Sequence, residues 1–437
     1  MIVAKFGGSS LADARQFKKV KNIMMMNRER RFVVPSAPGK RDKADEKVTD
    51  LLYACWDAHH AGKDLSSVLS RIQERYNGII KDLKLELSLD DEFKTIEANI
   101  KKGFSREYVA SRGEYLNGKI LAAYLEFDFV DAASVVLFNN DGSLAEEETN
   151  TLLHEELIQH RFAVVPGFYG SDRDGNVRTF SRGGSDVSGA LVARAVDADM
   201  YENWTDVNGF CMVDPRIVPD AQIIDVMTYK ELRELSYMGA TVLHEDAVFP
   251  VRKAGIPCNI RNTNDPLQPG TMIRSNAEIF APKYTITGIA GHKGFSIISI
   301  EKDMMNAELG FGRRVLQAFE EMNINFEHLP TSIDSMCVVI KDDELAGRKD
   351  EVVKKVIDAV HPDSITVHDH LALIATVGRG MAHASGTAAR LFTAISAQGI
   401  SIRTIDQGSS EINIIIGVDD DYFKETVKAI YDTFVRN

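Results

Sequence analysis

A few short segments hold residue types that handle phosphate and carboxylate groups. Lys5-Phe6-Gly7-Gly8-Ser9-Ser10 follows an apolar run and precedes an amphipathic one. Adjacent glycines let backbone N–H groups approach a ligand, and a helix start favours an anion. A lysine at the strand end would bring its ammonium to the same place. The same residues also read as a tight turn with a serine cap and a solvated lysine. Ser181-Arg182-Gly183-Gly184-Ser185-Asp186 is a second glycine turn. Its arginine suits two-point carboxylate recognition, and its aspartate either does chemistry or complements a helix dipole. Trp204-Thr205-Asp206-Val207-Asn208-Gly209 ends a strand, and Asp214-Pro215-Arg216 follows. That is the edge at which α/β proteins bind ligands, although ordinary turns use the same residues. Ser111-Arg112-Gly113-Glu114 sets an acid ahead of a helix, as a ligand partner or as a cap. Neither GxxxxGK[ST] nor GxGxxG occurs, which removes the P-loop and the Rossmann fingerprint.

The elements that must position these turns alternate. Ile2 to Phe6 reads as a strand, and Leu11 to Met26 as a helix with Leu11, Ala14, Phe17, Val20 and Met24 on one stripe. Phe32 to Pro35, Phe162 to Phe168 and Met200 to Trp204 read as strands; Val48 to His59 and Val187 to Val196 read as helices. Such alternation implies an α/β fold with a mostly parallel sheet between helices. The charged helical stretch from Leu65 to Tyr108 reads as an insertion beside the sheet. Pro266 to Gly270 is the clearest break, after which strands prevail with one intervening helix. There the chain repeats itself. Val315 matches Leu391, Phe319 matches Ile395, Ile324 matches Ile400 and Val338 matches Ile414. Each copy is expected to run helix, turn, strand, polar loop, strand, and two copies suit a paired small domain rather than a solenoid.

Composition narrows the class. The chain has 437 residues, which suggests about three domains. Its net charge of −13 argues against a general phosphate-backbone binder, so no nucleic acid partner is expected. Cys55, Cys211, Cys258 and Cys337 lie far apart, which excludes a zinc framework and fits reduced thiols in a cytoplasm. The N-terminal MIVAKFGG reaches glycine before a signal-like apolar run, and no stretch approaches a membrane span.

KFGGSS at Lys5, SRGE at Ser111, SRGGSD at Ser181, WTDVNG at Trp204, DPR at Asp214 and GATVLH at Gly239 occur in the order seen in aspartate kinases. The C-terminal repeat resembles the paired ACT domains of that family. The resemblance implies an amino-acid-kinase domain over residues 1–280, then ACT-like units over 296–366 and 367–437, with a strand lent from 284–295. It also implies a monofunctional enzyme, because the chain ends soon after the second repeat.

The implied reaction transfers the ATP γ-phosphoryl group to the β-carboxylate of L-aspartate, with Mg2+ arriving on the nucleotide and no separate metal site. A carboxylate is already a nucleophile, so catalysis would rest on alignment and charge neutralisation. Lys5 would supply charge and Asp186 would orient it. The implied ATP contacts are Lys5, Phe6, Gly7, Gly8, Ser9, Thr205, Asp206, Cys211, Arg216, Thr241 and Val242. For aspartate they are Thr49, Glu114, Arg182, Gly184 and Ser185, with Arg182 on a carboxylate and Glu114 on the ammonium. An amino-acid effector, lysine first and threonine second, would meet Met305, Gly310, Asn325, Phe326, Glu327 and Ser332. Pairing of ACT-like sheet edges would give a homodimer or tetramer.

Two positions depart from the family pattern. Thr241 stands where a phosphate-reaching lysine is common, so Arg216, Arg252 or Lys253 would have to compensate, and Cys211 replaces a tyrosine. Another amino-acid kinase is disfavoured by SRGE, VTDLL and the repeats. A ligand-sensing protein with a decayed kinase site is the reading from a different class.

Overall fold

The computed structural model describes residues 1–436 apart from Arg182, Thr241, His244, 276–281 and His383. The chain forms two compact units that do not follow chain order. The first comprises Met1–Phe210, Ile223–Tyr229 and Val242–Phe280; the second comprises Cys211–Gln222, Lys230–Thr241 and Ala281–Asn437.

The first unit is built on an eight-stranded sheet. Its order is Asp128–Phe129, Ala163–Val164, Arg30–Pro35, Ile2–Phe6, Met200–Thr205, Cys258–Asn262, Thr271–Arg274, Val226–Thr228. All neighbours are parallel except Cys258–Asn262 against Thr271–Arg274. Val3, Ala4 and Phe6 of the central strand are wholly buried, as a parallel strand covered on both faces requires.

The first helix begins at Ala14 rather than at Leu11, because Gly8–Leu11 forms a short 3-10 turn and Asp13 caps the helix through the Gln16 N–H at 3.0 Å. The expected strand from Phe162 to Phe168 shrinks to Ala163–Val164. Pro166 has no N–H for a ladder, and Gly167 turns to donate to the Pro35 carbonyl. Within Leu65 to Tyr108 lie the helices Ser66–Leu83 and Asp90–Lys101. Their charges face outward apart from that of the buried Arg75, while Leu69, Ile72, Tyr76, Phe93 and Ile96 join the same core as Phe17 and Leu52. They add no strand to the sheet, but they complete its cover.

The break at Pro266 to Gly270 is a turn inside this unit, since Thr271–Arg274 folds back onto Cys258–Asn262. Gly270 is required there. Its φ is 74°, and a Cβ would stand 1.9 Å from the Ile260 carbonyl oxygen.

The second unit carries a five-stranded antiparallel sheet ordered Ser335–Lys341, Gly288–Glu301, Ser364–Val377, Asn413–Asp419, Thr404–Asp406. The two 14-residue strands lie side by side, Gly288 against Val377 and Glu301 against Ser364. Among the described residues the helices Phe311–Glu321, Asp342–Leu345, Lys349–Val360, Thr387–Ser396 and Phe423–Tyr431 form in this region, so the expectation of one helix among strands was too low. The four matched pairs of the repeat are all buried. In the first copy the segment after Ile324 is an irregular edge rather than a strand. It touches its neighbour through the bridges His328 to Val339 and Thr331 to Met336, with Pro330 lacking a donor between them.

The helix Tyr229–Tyr237, from Lys230 onward, belongs to this second unit. Glu231 is fully buried and accepts from Thr287 Oγ1 at 2.6 Å, the Arg379 N–H at 2.8 Å and Arg379 Nη1 at 3.0 Å. Glu234 accepts from Asn413 Nδ2 at 2.6 Å on the same face. Glu231→Ala removes the carboxylate that these donors share and is expected to cost about 3–5 kcal/mol. A chemical-denaturation midpoint equal to the parent's would refute that estimate.

Candidate active site

The carboxyl ends of Ile2–Phe6, Arg30–Pro35, Met200–Thr205 and Cys258–Asn262 share one edge of the parallel sheet, and the glycine turns open there. Lys5 pairs in register with Val34 on one side and Asn203 on the other. Its buried ammonium lies 2.5 Å from Asp186 Oδ1 and 3.5 Å from Asn203 Oδ1. Asn203 donates through Nδ2 to the same Asp186 oxygen at 2.7 Å. Asp186 occupies the first turn of the helix Gly184–Ala195, entered through Gly183 at φ 58°. Lysine, aspartate and asparagine thus form one polar cluster at the strand ends, with Lys5 and Asn203 buried and Asp186 half-buried. Asn203 was not singled out from the sequence. Its only signal is a polar residue in a short strand, between Glu202 and Trp204.

At the first turn, the Gly7 N–H donates to the Trp204 carbonyl at 3.0 Å, and Gly39 donates to the Gly8 carbonyl at 2.8 Å. A Cβ on Gly8 would sit 2.9 Å from the Ala37 carbonyl oxygen, and one on Gly39 would sit 2.6 Å from the Gly8 carbonyl carbon. The loop following Arg30–Pro35 therefore runs in contact with the glycine turn, a closeness that only glycine permits. Phe6 is stacked on Trp204 at 5.9 Å and its ring is wholly buried, so it offers backbone alone to the edge. Ser10 shares a 2.7 Å hydrogen bond with Thr263.

Glu114 does not precede a helix. It lies within Arg106–Leu125, whose buried residues run round most of its circumference. The carboxylate is 5% exposed. Oε1 accepts from the Ala37 N–H at 3.0 Å, and Oε2 has no partner among the described residues. Burial pushes its pKa up to about 7, against the pull of the Ala37 N–H and the charges of Arg112 and Lys5. The Arg112 guanidinium stacks on Tyr108, Tyr115 and Tyr169, 4.4–5.3 Å from the ring centres.

Thr49 stands half-buried in the first turn of Val48–His60, whose Val48 N–H donates to Pro38. Gly184 and Ser185 are buried beside the second glycine turn, with Gly167 closely under Ser185. Thr205 ends its strand with its hydroxyl 3.2 Å from the exposed Asp206 carboxylate. Val242 is half-buried in the same unit. Arg182 and Thr241 lie outside the described residues. Of the expected compensating cations, Lys253 pairs with Glu146 and Glu147, while Arg252 is exposed without an ion pair among the described residues. No group of three or more His, Cys, Asp or Glu side chains gathers among the described residues to hold a metal.

Cys211 and Arg216 belong to the second unit. Burial raises the Cys211 thiol pKa, and Arg216 is exposed and bonded to Asp214 at 2.6 Å. Also in this unit, the Met305 turn meets the loop before Ser335, through the Met304 N–H on Asp334 and the Asn306 N–H on the Ile333 carbonyl. Ser332 is exposed in that loop, Gly310 caps the next helix at φ 81°, and Asn325 and Phe326 are exposed. The Glu327 carboxylate is 7% exposed, with Lys341 Nζ at 3.0 Å on one oxygen and the Tyr237 hydroxyl at 2.5 Å on the other.

Comparison with known proteins places this geometry. The amino acid kinase family model matches residues 1–262, and an ACT domain model matches residues 374–434. Aspartokinase 3 of Bacillus subtilis is 38% identical over 99% of this chain and 98% of its own length. The solved aspartate kinase of Clostridium acetobutylicum, described as an allosteric enzyme, superposes with a TM-score of 0.93 at 49% identity, over 99% of this chain and all of that one. E. coli aspartokinase III, solved with aspartate and ADP, shares the fold at a TM-score of 0.76 and 23% identity, over 99% of both chains.

Proposed function

The chain belongs to the aspartate kinases of the amino acid kinase family, and from that we propose how its residues divide the reaction. The activity is transfer of the ATP γ-phosphoryl group to the β-carboxylate of L-aspartate, giving 4-phospho-L-aspartate and ADP. The observation that carries the residue assignment is the Lys5–Asp186–Asn203 cluster at the strand ends, with the open oxygen of Glu114 in the same unit.

The attacking carboxylate is ionised at neutral pH, so the site needs no base. Lys5 neutralises charge on the transferring phosphoryl group, and Asp186 and Asn203 hold its ammonium in place. MgATP is the substrate, and its ion is held largely by phosphates and water. Gly8 and Ser9 offer backbone N–H groups to the phosphates, and Thr205 and Asp206 border the nucleotide. Glu114 receives the aspartate ammonium, Thr49, Gly184 and Ser185 border the same substrate, and Arg182 clamps a carboxylate.

Residues 1–280 are taken as the kinase domain and 296–366 and 367–437 as the ACT-like units. These units pair with a second copy to make a dimer or tetramer. Among the described residues no helix is long and apolar enough to cross a membrane. The four free cysteines suit a reducing cytoplasm. ADP release with ATP, Mg2+ and L-aspartate, titrated with L-lysine or L-threonine, tests the activity and its control together. Turnover without aspartate dependence would remove the assignment.

Feedback control by lysine is placed at Glu327, with threonine as the competitor. The Lys341 ammonium already sits on that carboxylate, so a lysine effector must displace a like charge. Lys341→Met is therefore expected to lower the lysine concentration for half-inhibition about tenfold, equivalent to about 1.4 kcal/mol. Glu327→Gln is expected to abolish lysine inhibition while leaving uninhibited turnover in place. Inhibition curves unchanged by both substitutions would contradict the placement.

A further inference from the structure

Arg75 lies on the helix Ser66–Leu83, away from every motif that marks the site, yet it is 9% exposed. Its guanidinium makes four hydrogen bonds. Nε and Nη2 reach the Ala12 carbonyl at 3.3 and 3.0 Å, Nη2 also reaches the Gly39 carbonyl at 2.6 Å, and Nη1 meets Asp45 Oδ2 at 2.6 Å. Ala12 ends the glycine turn that starts at Gly7, and Gly39 lies in the loop beside it. One buried side chain thus ties together the two backbone segments at the first glycine turn.

The bonding continues inward. Gly39 donates its N–H to the Gly8 carbonyl at 2.8 Å. A trans peptide points its C=O and N–H in opposite directions, so holding the Gly8 carbonyl on Gly39 aims the Ser9 N–H away from that loop. The Gly7 N–H is already bonded to Trp204. Among the described residues, the Gly8 and Ser9 N–H groups are therefore the ones in this turn left to face an anion. Asp45, the ionic anchor of Arg75, is also gripped by Arg41 through Nε and Nη2, both at 2.8 Å. The Arg41 bonds, and then Arg75, hold its carboxyl far below the ordinary carboxylate range, so the anchor stays charged at any working pH.

We propose that Arg75 is a positioning residue for phosphoryl transfer, setting the Gly8–Ser9 backbone against the nucleotide phosphates through Gly39. This rests on the reading of Gly8 and Ser9 as phosphate-facing. The fork of donors on an arginine can hold two carbonyls and a carboxylate at once, whereas lysine presents a point charge. Arg75 itself touches no substrate.

The test compares Arg75→Met, Arg75→Lys and Gly8→Ala in the full chain, varying MgATP at saturating aspartate and aspartate at saturating MgATP. Arg75→Met is expected to raise KM for ATP about tenfold and lower kcat, with KM for aspartate within about twofold of the parent. Arg75→Lys, which can keep Asp45 and one carbonyl, should fold like the parent and recover part of the ATP affinity. It carries the test alone if the methionine variant does not fold. A general loss in which both KM values stay at parental levels, and kcat only tracks the folded fraction, would overturn the proposal. A Gly8→Ala enzyme with parental KM for ATP would remove the phosphate reading and the proposal with it. A raised KM in Gly8→Ala but not in either Arg75 variant would remove the proposal alone.

Discussion

Lys5→Met is expected to lower kcat about 10³-fold while leaving a folded protein. The substitution keeps most of the apolar stem in the strand between Val34 and Asn203 and removes only the ammonium. What is lost is a buried positive charge held in place by Asp186 and Asn203. Preorganised charge at a transferring phosphoryl is worth several kcal/mol because the site does not reorganise during the reaction. The Asp186 carboxylate keeps its bond from Asn203, which limits the cost to stability. Asp186→Asn should fall between parent and Lys5→Met, since the ammonium stays but loses its partner. Stopped or steady-state ADP release, with circular dichroism to confirm folding, checks both. Parental kcat in Lys5→Met would remove the lysine from the chemistry.

Glu114→Gln is expected to raise KM for aspartate about 10²-fold with a much smaller change in KM for ATP. A buried carboxylate with one oxygen open is a strong partner for an ammonium, and breaking such a pair costs about 2–5 kcal/mol. The same substitution should stabilise the free enzyme at alkaline pH. Burial raises the folded-state pKa from 4.5 to about 7. The stability that this shift contributes is complete below the unfolded value near 4.5 and is lost as pH rises through about 7. At pH 8 the ionised Glu114 thus costs up to about 3 kcal/mol, which the amide does not. Aspartate needs the ionised form, so kcat/KM for aspartate in the parent should climb as pH rises through about 7. Glu114→Gln should flatten that limb. A limb that persists in the variant, or a melting temperature at pH 8 below the parent's, would contradict the account.

Much of this site could be read before the fold was known, and the exceptions have physical causes. Lys5 and Asp186 were legible because glycine pairs after apolar runs mark turns where backbone approaches a ligand. Asn203 was not, because its role comes from parallel pairing with Lys5, 198 residues away in the chain. Glu114 was seen as an acid but misplaced at a helix start, since Arg106–Leu125 is buried nearly all round and no apolar stripe marks where it begins. Pro266 to Gly270 reads as the clearest break in the chain because turn chemistry is local, and that chemistry does not tell which sheet the next strand joins. Arg75 gave no signal. In a charged helix it looks like any solvated arginine until the core stripe of Ser66–Leu83 turns it toward Ala12 and Gly39.

The central claim is a division of labour: Lys5 acts on the phosphoryl group and Glu114 on the aspartate ammonium. The most direct test is ADP release by the parent, Lys5→Met and Glu114→Gln, with ATP and L-aspartate varied separately. The account predicts that Lys5→Met loses kcat with little change in KM for aspartate, and that Glu114→Gln raises KM for aspartate while keeping most of kcat. Equal losses in both parameters for both variants, or the reverse pattern, would contradict it.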